Sequence, residues 1–194
     1  MKNSSDKEKI LKLLRSSILD VDQQISLAEY RDEDIYVGND DPVMFFAEKV
    51  SQEGGKFVYC QNEEELSLKL KSLISYRKWS NIHSFSKNLW AYLDGKGIKT
   101  SMNEEEVEVG VSLCQGIVSK TGSIIITSTQ GIGTNMTHFP PILVIIATTS
   151  QIYPSYRQVL SHLPETPPKW VISIRSGKLI SEEIKELYLF VTEM

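Results

Sequence analysis

Cysteine is nearly absent from this chain. Cys60 and Cys114 are the two present in 194 residues, too few for a disulfide scaffold or for a protein that supplies all the ligands of an iron–sulfur cluster. Histidine is as sparse: His83, His138 and His162 are scattered, and none has the i, i+4 partner or adjacent cysteine of a metal site. No cofactor is implied. Excess positive charge is also missing, since 21 Lys and Arg against 25 Asp and Glu leave a net −4. That balance argues against general affinity for nucleic-acid backbones or anionic membrane surfaces. No apolar run reaches the length of a membrane span, and the charged N-terminus has no apolar signal region, so a cytoplasmic protein is expected. Ser123 and Ser128 lack a Gly-x-Ser-x-Gly elbow, which removes a hydrolase triad. Internal repeats and low-complexity segments are absent too.

What is present suits one α/β domain over residues 1–194, large enough for its own core. Residues 1–39 form its N-terminal part. Ser5 and Glu8 have capping-box spacing, and Ile10, Leu11, Leu14 and Ile18 share one face of a basic amphipathic helix. Such a helix packs on its own domain or on a second subunit, so a homo-oligomer is one expectation. The polar segment from Asp20 to Asn39 reads as a connector. Pro42 opens a helix with Val43, Phe46, Ala47 and Val50 inward, ended by Gly54-Gly55. A strand from Lys56 to Cys60 follows, then a helix opened by Asn62 and Glu65 with Leu66, Leu70, Leu73 and Ile74 as its stripe. Ile82 to Phe85 is a short strand, and Lys87 to Leu93 a helix closed by Gly95. This alternation predicts parallel strands in one sheet with helices against it.

The centre of the chain carries three β-branched runs: Val107 to Val118, Ile124 to Ile126 and Ile142 to Ile146. The first two are joined by a tight turn at Thr121-Gly122. The last is continuously apolar, as in a strand covered on both faces. Glu104 to Glu106, just before them, reads as a solvated turn. Beyond, Pro154 begins a helix with Tyr156, Val159, Leu160 and Leu163, Lys169 to Ile174 is a strand, Ser181 is a helix start, and Leu187 to Val191 is the last strand.

The segment Val111-Ser-Leu-Cys-Gln-Gly-Ile-Val-Ser-Lys-Thr-Gly-Ser123, with the glycine-rich loop and Pro140-Pro141 after it, resembles the LUD (lactate utilisation) domain family. The likeness extends more weakly to Phe46-Ala47, Gly54-Gly55 and Glu186 to Val191. It implies the fold shared by sugar-phosphate isomerases and CoA transferases (NagB/RpiA/CoA transferase-like), an open, mostly parallel α/β sheet flanked by helices. It also implies work alongside iron–sulfur lactate-utilisation proteins in oxidising L-lactate. Four family positions differ here: Lys120 and Thr127 replace acids, Thr134 replaces an arginine and Leu143 a histidine. The C-terminal segment of the family is shortened to Ile174 through Glu183.

Candidate ligand-binding residues lie in the loops, where backbone N–H groups are exposed beyond strand ends. They are Lys120, Thr121, Gly122 and Ser123; Ser128, Thr129, Gly131, Gly133, Thr134 and Asn135; and Arg175. Hydroxyls, amides and two cations suit a phosphate or a carboxylate. The two loops flank the same short strand at opposite ends, so one pocket requires a bridging loop or subunit. Otherwise the glycine-rich loop with Arg175 is the site. Two functions follow, an accessory subunit of lactate utilisation or a protein acting on a small phosphorylated or carboxylated metabolite.

Overall fold

The computed structural model describes residues 42–101, 107–130, 139–175 and 184–193, all within the unit Asp40–Met194. The expected N-terminal helix and connector, Glu104 to Glu106, the loop from Gly131 to His138, Ser176-Gly177 and the helix start at Ser181 lie outside these residues.

Local signals open and close the elements much as the sequence predicts. Helix α1 (Pro42–Gln52) begins at its proline and buries Phe46 and Val50 before Gly54, at φ +86°, turns the chain into strand β1 (Lys56–Cys60). Helix α2 (Glu63–Arg77) is capped by Asn62, whose side chain accepts the Glu65 N–H at 2.9 Å. The Glu65 carboxylate in turn accepts the Gln61 N–H at 2.6 Å. After β2 (Ile82–Ser84), helix α3 (Lys87–Gly95) runs through the glycine expected to close it. The reversal comes at Gly97, φ +74°.

The apolar run from Val107 to Val118 is the largest departure. It forms two strands rather than one, β3 (Val109–Leu113) and β4 (Gly116–Val118), and they belong to different sheets. Strand β5 (Ser123–Thr127) returns antiparallel to β4. Then come β6 (Ile142–Thr148), the two-residue β7 (Ile152–Tyr153), helix α4 (Tyr156–Ser161), β8 (Val171–Arg175) and β9 (Glu186–Thr192). Helix α4 starts two residues after Pro154 and stops before Leu163, shorter than its apolar spacing suggests.

Two sheets result where one was expected. The larger is five-stranded and wholly parallel, in the order β1-β9-β6-β3-β2. The smaller is four-stranded, in the order β7-β4-β5-β8, with β5 antiparallel to both neighbours. Side-chain alternation along β6 and β9 divides the core. Leu143, Ile145, Leu187 and Leu189 meet α1 and the small sheet, whereas Val144, Ile146, Tyr188 and Phe190 meet α2 and α3. The outer face of the small sheet, at Val118 and Ile125, is covered by Val159 of α4. Helices, parallel sheet and small sheet thus form successive layers, the architecture of an α/β protein.

Gly110 in β3 is a packing requirement. A Cβ there would lie 2.6 Å from both the Phe85 ring and Pro140. At the starts of β1 and β9, Glu186 binds Lys56 and Arg77 and accepts the Tyr188 hydroxyl at 2.8 Å. Its bond to Lys56 outweighs the opposing effect of burial and holds its carboxyl below the usual range.

Two outcomes follow from this packing. Val144→Asp, at a fully buried position of β6, should abolish cooperative unfolding, because an unpaired buried carboxylate costs several kcal/mol against a total of ~5–15 kcal/mol. Urea titration followed by fluorescence reads this out. Glu186 titrates lower in the folded chain than in the unfolded one, so its contribution is present at neutral pH and fades as pH falls through the folded value. Glu186→Gln should lower stability at pH 7 by about 1 kcal/mol or less, given its half-exposed partners, and flatten melting temperature against pH in the acid limb.

Candidate functional site

The β4–β5 turn is built by Ser119 to Gly122. Gly122 takes φ +67°, a conformation that L side chains resist, and this permits the tight reversal. Immediately after it, Ser123 starts β5 with no exposed surface. Its oxygen accepts the Thr121 hydroxyl at 2.8 Å and the Tyr156 hydroxyl at 2.5 Å. Tyr156 has a single proton, and that proton goes to Ser123, so Ser173 donates to the tyrosine oxygen across 2.8 Å. Strand pairing sets Arg175 opposite Ser123, and its Nε donates to the Thr121 carbonyl at 3.2 Å. Thr121, Gly122, Ser123 and Arg175 therefore gather at one end of the small sheet, with the exposed Lys120 in the same turn.

Tyr156 and Ser173 were missed by sequence reasoning. Tyr156 reads from its spacing as one more core residue of a short helix. The available signal was chemical: a tyrosine on a buried face must place its hydroxyl on a partner.

Ser128 and Thr129 lie at the other end of β5. Four residue steps separate Ser123 from Thr127, roughly 13 Å for an extended strand. The structure pairs Arg175 with the turn at Ser123, not with the loop after Thr127. Ser128 accepts the Lys169 N–H at 2.9 Å, and Thr129 shares its hydroxyl with Thr127 at 2.7 Å. Gly131, Gly133, Thr134 and Asn135 lie outside the described residues.

Near Thr127 a local pattern occurs twice. The Gln130 side chain accepts both the N–H and the hydroxyl of Thr127 at 2.6 Å, then donates to Gln115 at 3.1 Å. After β6, Gln151 accepts the N–H of Thr148 at 2.9 Å and donates to the Cys114 carbonyl at 2.8 Å. Two Thr-x-x-Gln turns thus grip Cys114-Gln115, the link by which the chain passes from one sheet to the other. Thr127, where the resemblance implies an acid, is here part of that grip, and Leu143, where it implies a histidine, is fully buried among aliphatic side chains.

Both cysteines are free and buried. Burial raises the Cys114 thiol to about 12 and also pushes up that of Cys60. They sit on opposite faces of the parallel sheet, on β1 and just after β3, with β9 and β6 between. That is roughly 14 Å at the usual strand spacing. His83 is buried with its ring against Phe85, and His162 bonds the Gln158 carbonyl at 2.7 Å. Among the described residues no group of three or more His, Cys, Asp or Glu could hold a metal ion, and no helix is long and apolar enough to cross a membrane.

Fold and site together define an α/β protein whose polar side chains gather at the end of a small accessory sheet. Within that class, residues 82–172 match the LUD domain family, and the resemblance read from the sequence holds over that segment. A DUF162 family protein from Deinococcus radiodurans has a similar crystal structure, with a TM-score of 0.60 at 15% identity over 78% of this chain and 96% of that one. A search of curated proteins finds no match. The LUD domain family is associated with lactate utilisation.

Removing the tyrosine hydroxyl tests the cluster. Tyr156→Phe should cost about 1 kcal/mol, because Ser123 loses one of its two donors and the Ser173 hydroxyl loses its acceptor. A double-mutant cycle with Ser123→Ala should show coupling in urea unfolding, and strict additivity would show that the hydroxyls do not act together.

Proposed function

We propose that this protein is an accessory subunit of an L-lactate utilisation system, working beside iron–sulfur partner proteins in the manner its likeness to the LUD domain family implies. Oxidising L-lactate to pyruvate releases a pair of electrons, and these need an acceptor. What supports a non-redox role for this chain is the placement of its two cysteines, buried on opposite faces of the sheet. A cluster held by cysteine thiolates requires ligands around one point, so the redox centres belong to the partners. Growth decides the matter: cells lacking the gene should fail on L-lactate as sole carbon source while growing normally on pyruvate. Equal growth on both would remove this reading.

The second reading, binding of a small phosphorylated or carboxylated metabolite, is favoured by Arg175 beside Thr121 and Ser123. Here Lys120, Thr121, Gly122, Ser123 and Arg175 hold the anion, and the loop with Ser128, Thr129, Gly131, Gly133, Thr134 and Asn135 is a separate candidate. L-Lactate, pyruvate or inorganic phosphate at a hundredfold excess over its dissociation constant should stabilise the native chain by ~2.7 kcal/mol. Arg175→Ala should abolish that thermal shift if the anion sits at the turn, and leave it intact if it sits at the glycine loop.

A further inference from the structure

We propose that two copies of this chain associate through the outer edges of their β8 strands, paired antiparallel about a two-fold axis at Ser173, so that their small sheets join into one. Among the described residues the two sheets end in four outer strands, β1, β2, β7 and β8. The outer side of β2 bridges to Ser101, whose N–H reaches the Ile82 carbonyl at 2.7 Å. On β1 the Tyr59 carbonyl is taken by Lys69 at 2.7 Å, and β7 is two residues long. Strand β8 is left. Ser128 donates its N–H to the Trp170 carbonyl at 3.2 Å, while on the other side of β5 the Ile125 carbonyl accepts the Gln115 N–H at 2.8 Å. Both bonds fix the same alternation: Ile172 and Ile174 turn their backbone groups toward β5, and Val171, Ser173 and Arg175 turn theirs outward. Those outward N–H and C=O groups have no partner among the described residues.

Natural edges are blunted by lysine, proline, a bulge or a covering element. Val-Ile-Ser-Ile-Arg has neither lysine nor proline, its register against β5 is unbroken, and its one charge is the last residue. Val171 at its start is 44% exposed. The strand is complementary to itself, and this identifies the occupant. About a two-fold at Ser173, Val171 faces Arg175 of the second copy, Ser173 faces Ser173, and Arg175 faces Val171, so like charges are not opposed. These are the three residues whose backbones turn outward. Each facing pair exchanges two main-chain bonds, about six in all. On the inner face, Ile172 lies across from Ile174 of the second copy, which continues the aliphatic layer that both residues join in the core. On the outer face, the stem of Arg175 covers the exposed valine of its neighbour. Such a contact is isologous, so it closes on itself and leaves no further β8 edge open.

Sedimentation velocity of the full chain should show a monomer passing to a dimer as concentration rises. Two substitutions at one position test the register. Val171→Lys sets a second cation opposite Arg175 of the other copy and should weaken dimerisation by about tenfold or more, whereas Val171→Glu sets a carboxylate there and should leave it unchanged or tighter. Neither should lower the melting temperature by more than a few degrees, since the position is half exposed. Hydrogen exchange followed by NMR uses the wild-type chain alone. The Val171, Ser173 and Arg175 amides should gain protection with concentration, while those of Ile172 and Ile174 are protected throughout. A chain that stays monomeric at NMR concentrations, equal effects of the two substitutions on the dimer, or exchange at the three outward amides that ignores concentration would each overturn the proposal.

Discussion

The fold depends on burying β6 on both faces. Its residues from Leu143 to Ala147 have almost no exposed surface, and alternate ones point into the two halves of the core. A strand so placed cannot slip by one residue without exchanging every contact on both sides. Strands β9 and β3 pair with it over most of their lengths, and α1, α2, α3 and the small sheet are the layers that its two faces recruit.

A second constraint acts where the chain leaves one sheet for the other. At Cys114-Gln115 the backbone stops pairing with β6 and enters β4, so polar groups there lose their ladder partners. Buried backbone groups must be bonded somewhere. The Gln151 side chain meets this need at the Cys114 carbonyl, the Gln115 N–H bonds the Ile125 carbonyl, and Gln130 ties the Gln115 side chain to the turn after β5. The same arrangement engages Thr127 and Gln130 at one end of β5, while Thr121, Ser123, Tyr156, Ser173 and Arg175 cluster at the other.

Charge is distributed with similar economy. Glu186 serves Lys56 and Arg77 at the start of the sheet, and Glu65 serves both the cap of α2 and Lys69. Half-exposed pairs of this kind add little stability each. Their larger effect is to hold lysines beside the edge of β1, where long charged side chains oppose indiscriminate strand pairing.

By itself the sequence determined the elements whose causes are local. Asn62 and Glu65 mark a helix start wherever they fall, Gly54 and Gly122 mark reversals, and the unbroken apolar run from Ile142 to Ile146 demands cover on both faces. The LUD likeness was legible for the same reason, being a pattern of strands, turns and prolines along the chain. Tertiary structure alone decided where the run from Val107 to Val118 breaks, because the break falls where the chain stops pairing with β6 in one sheet and starts pairing with β5 in the other. It decided also that Arg175 faces Ser123 rather than the loop after Thr127, and that Tyr156 completes the cluster. Strand register and long-range hydroxyl bonds join residues tens of positions apart, and no local preference encodes that pairing; it emerges when the layers pack and each buried polar group must find its partner.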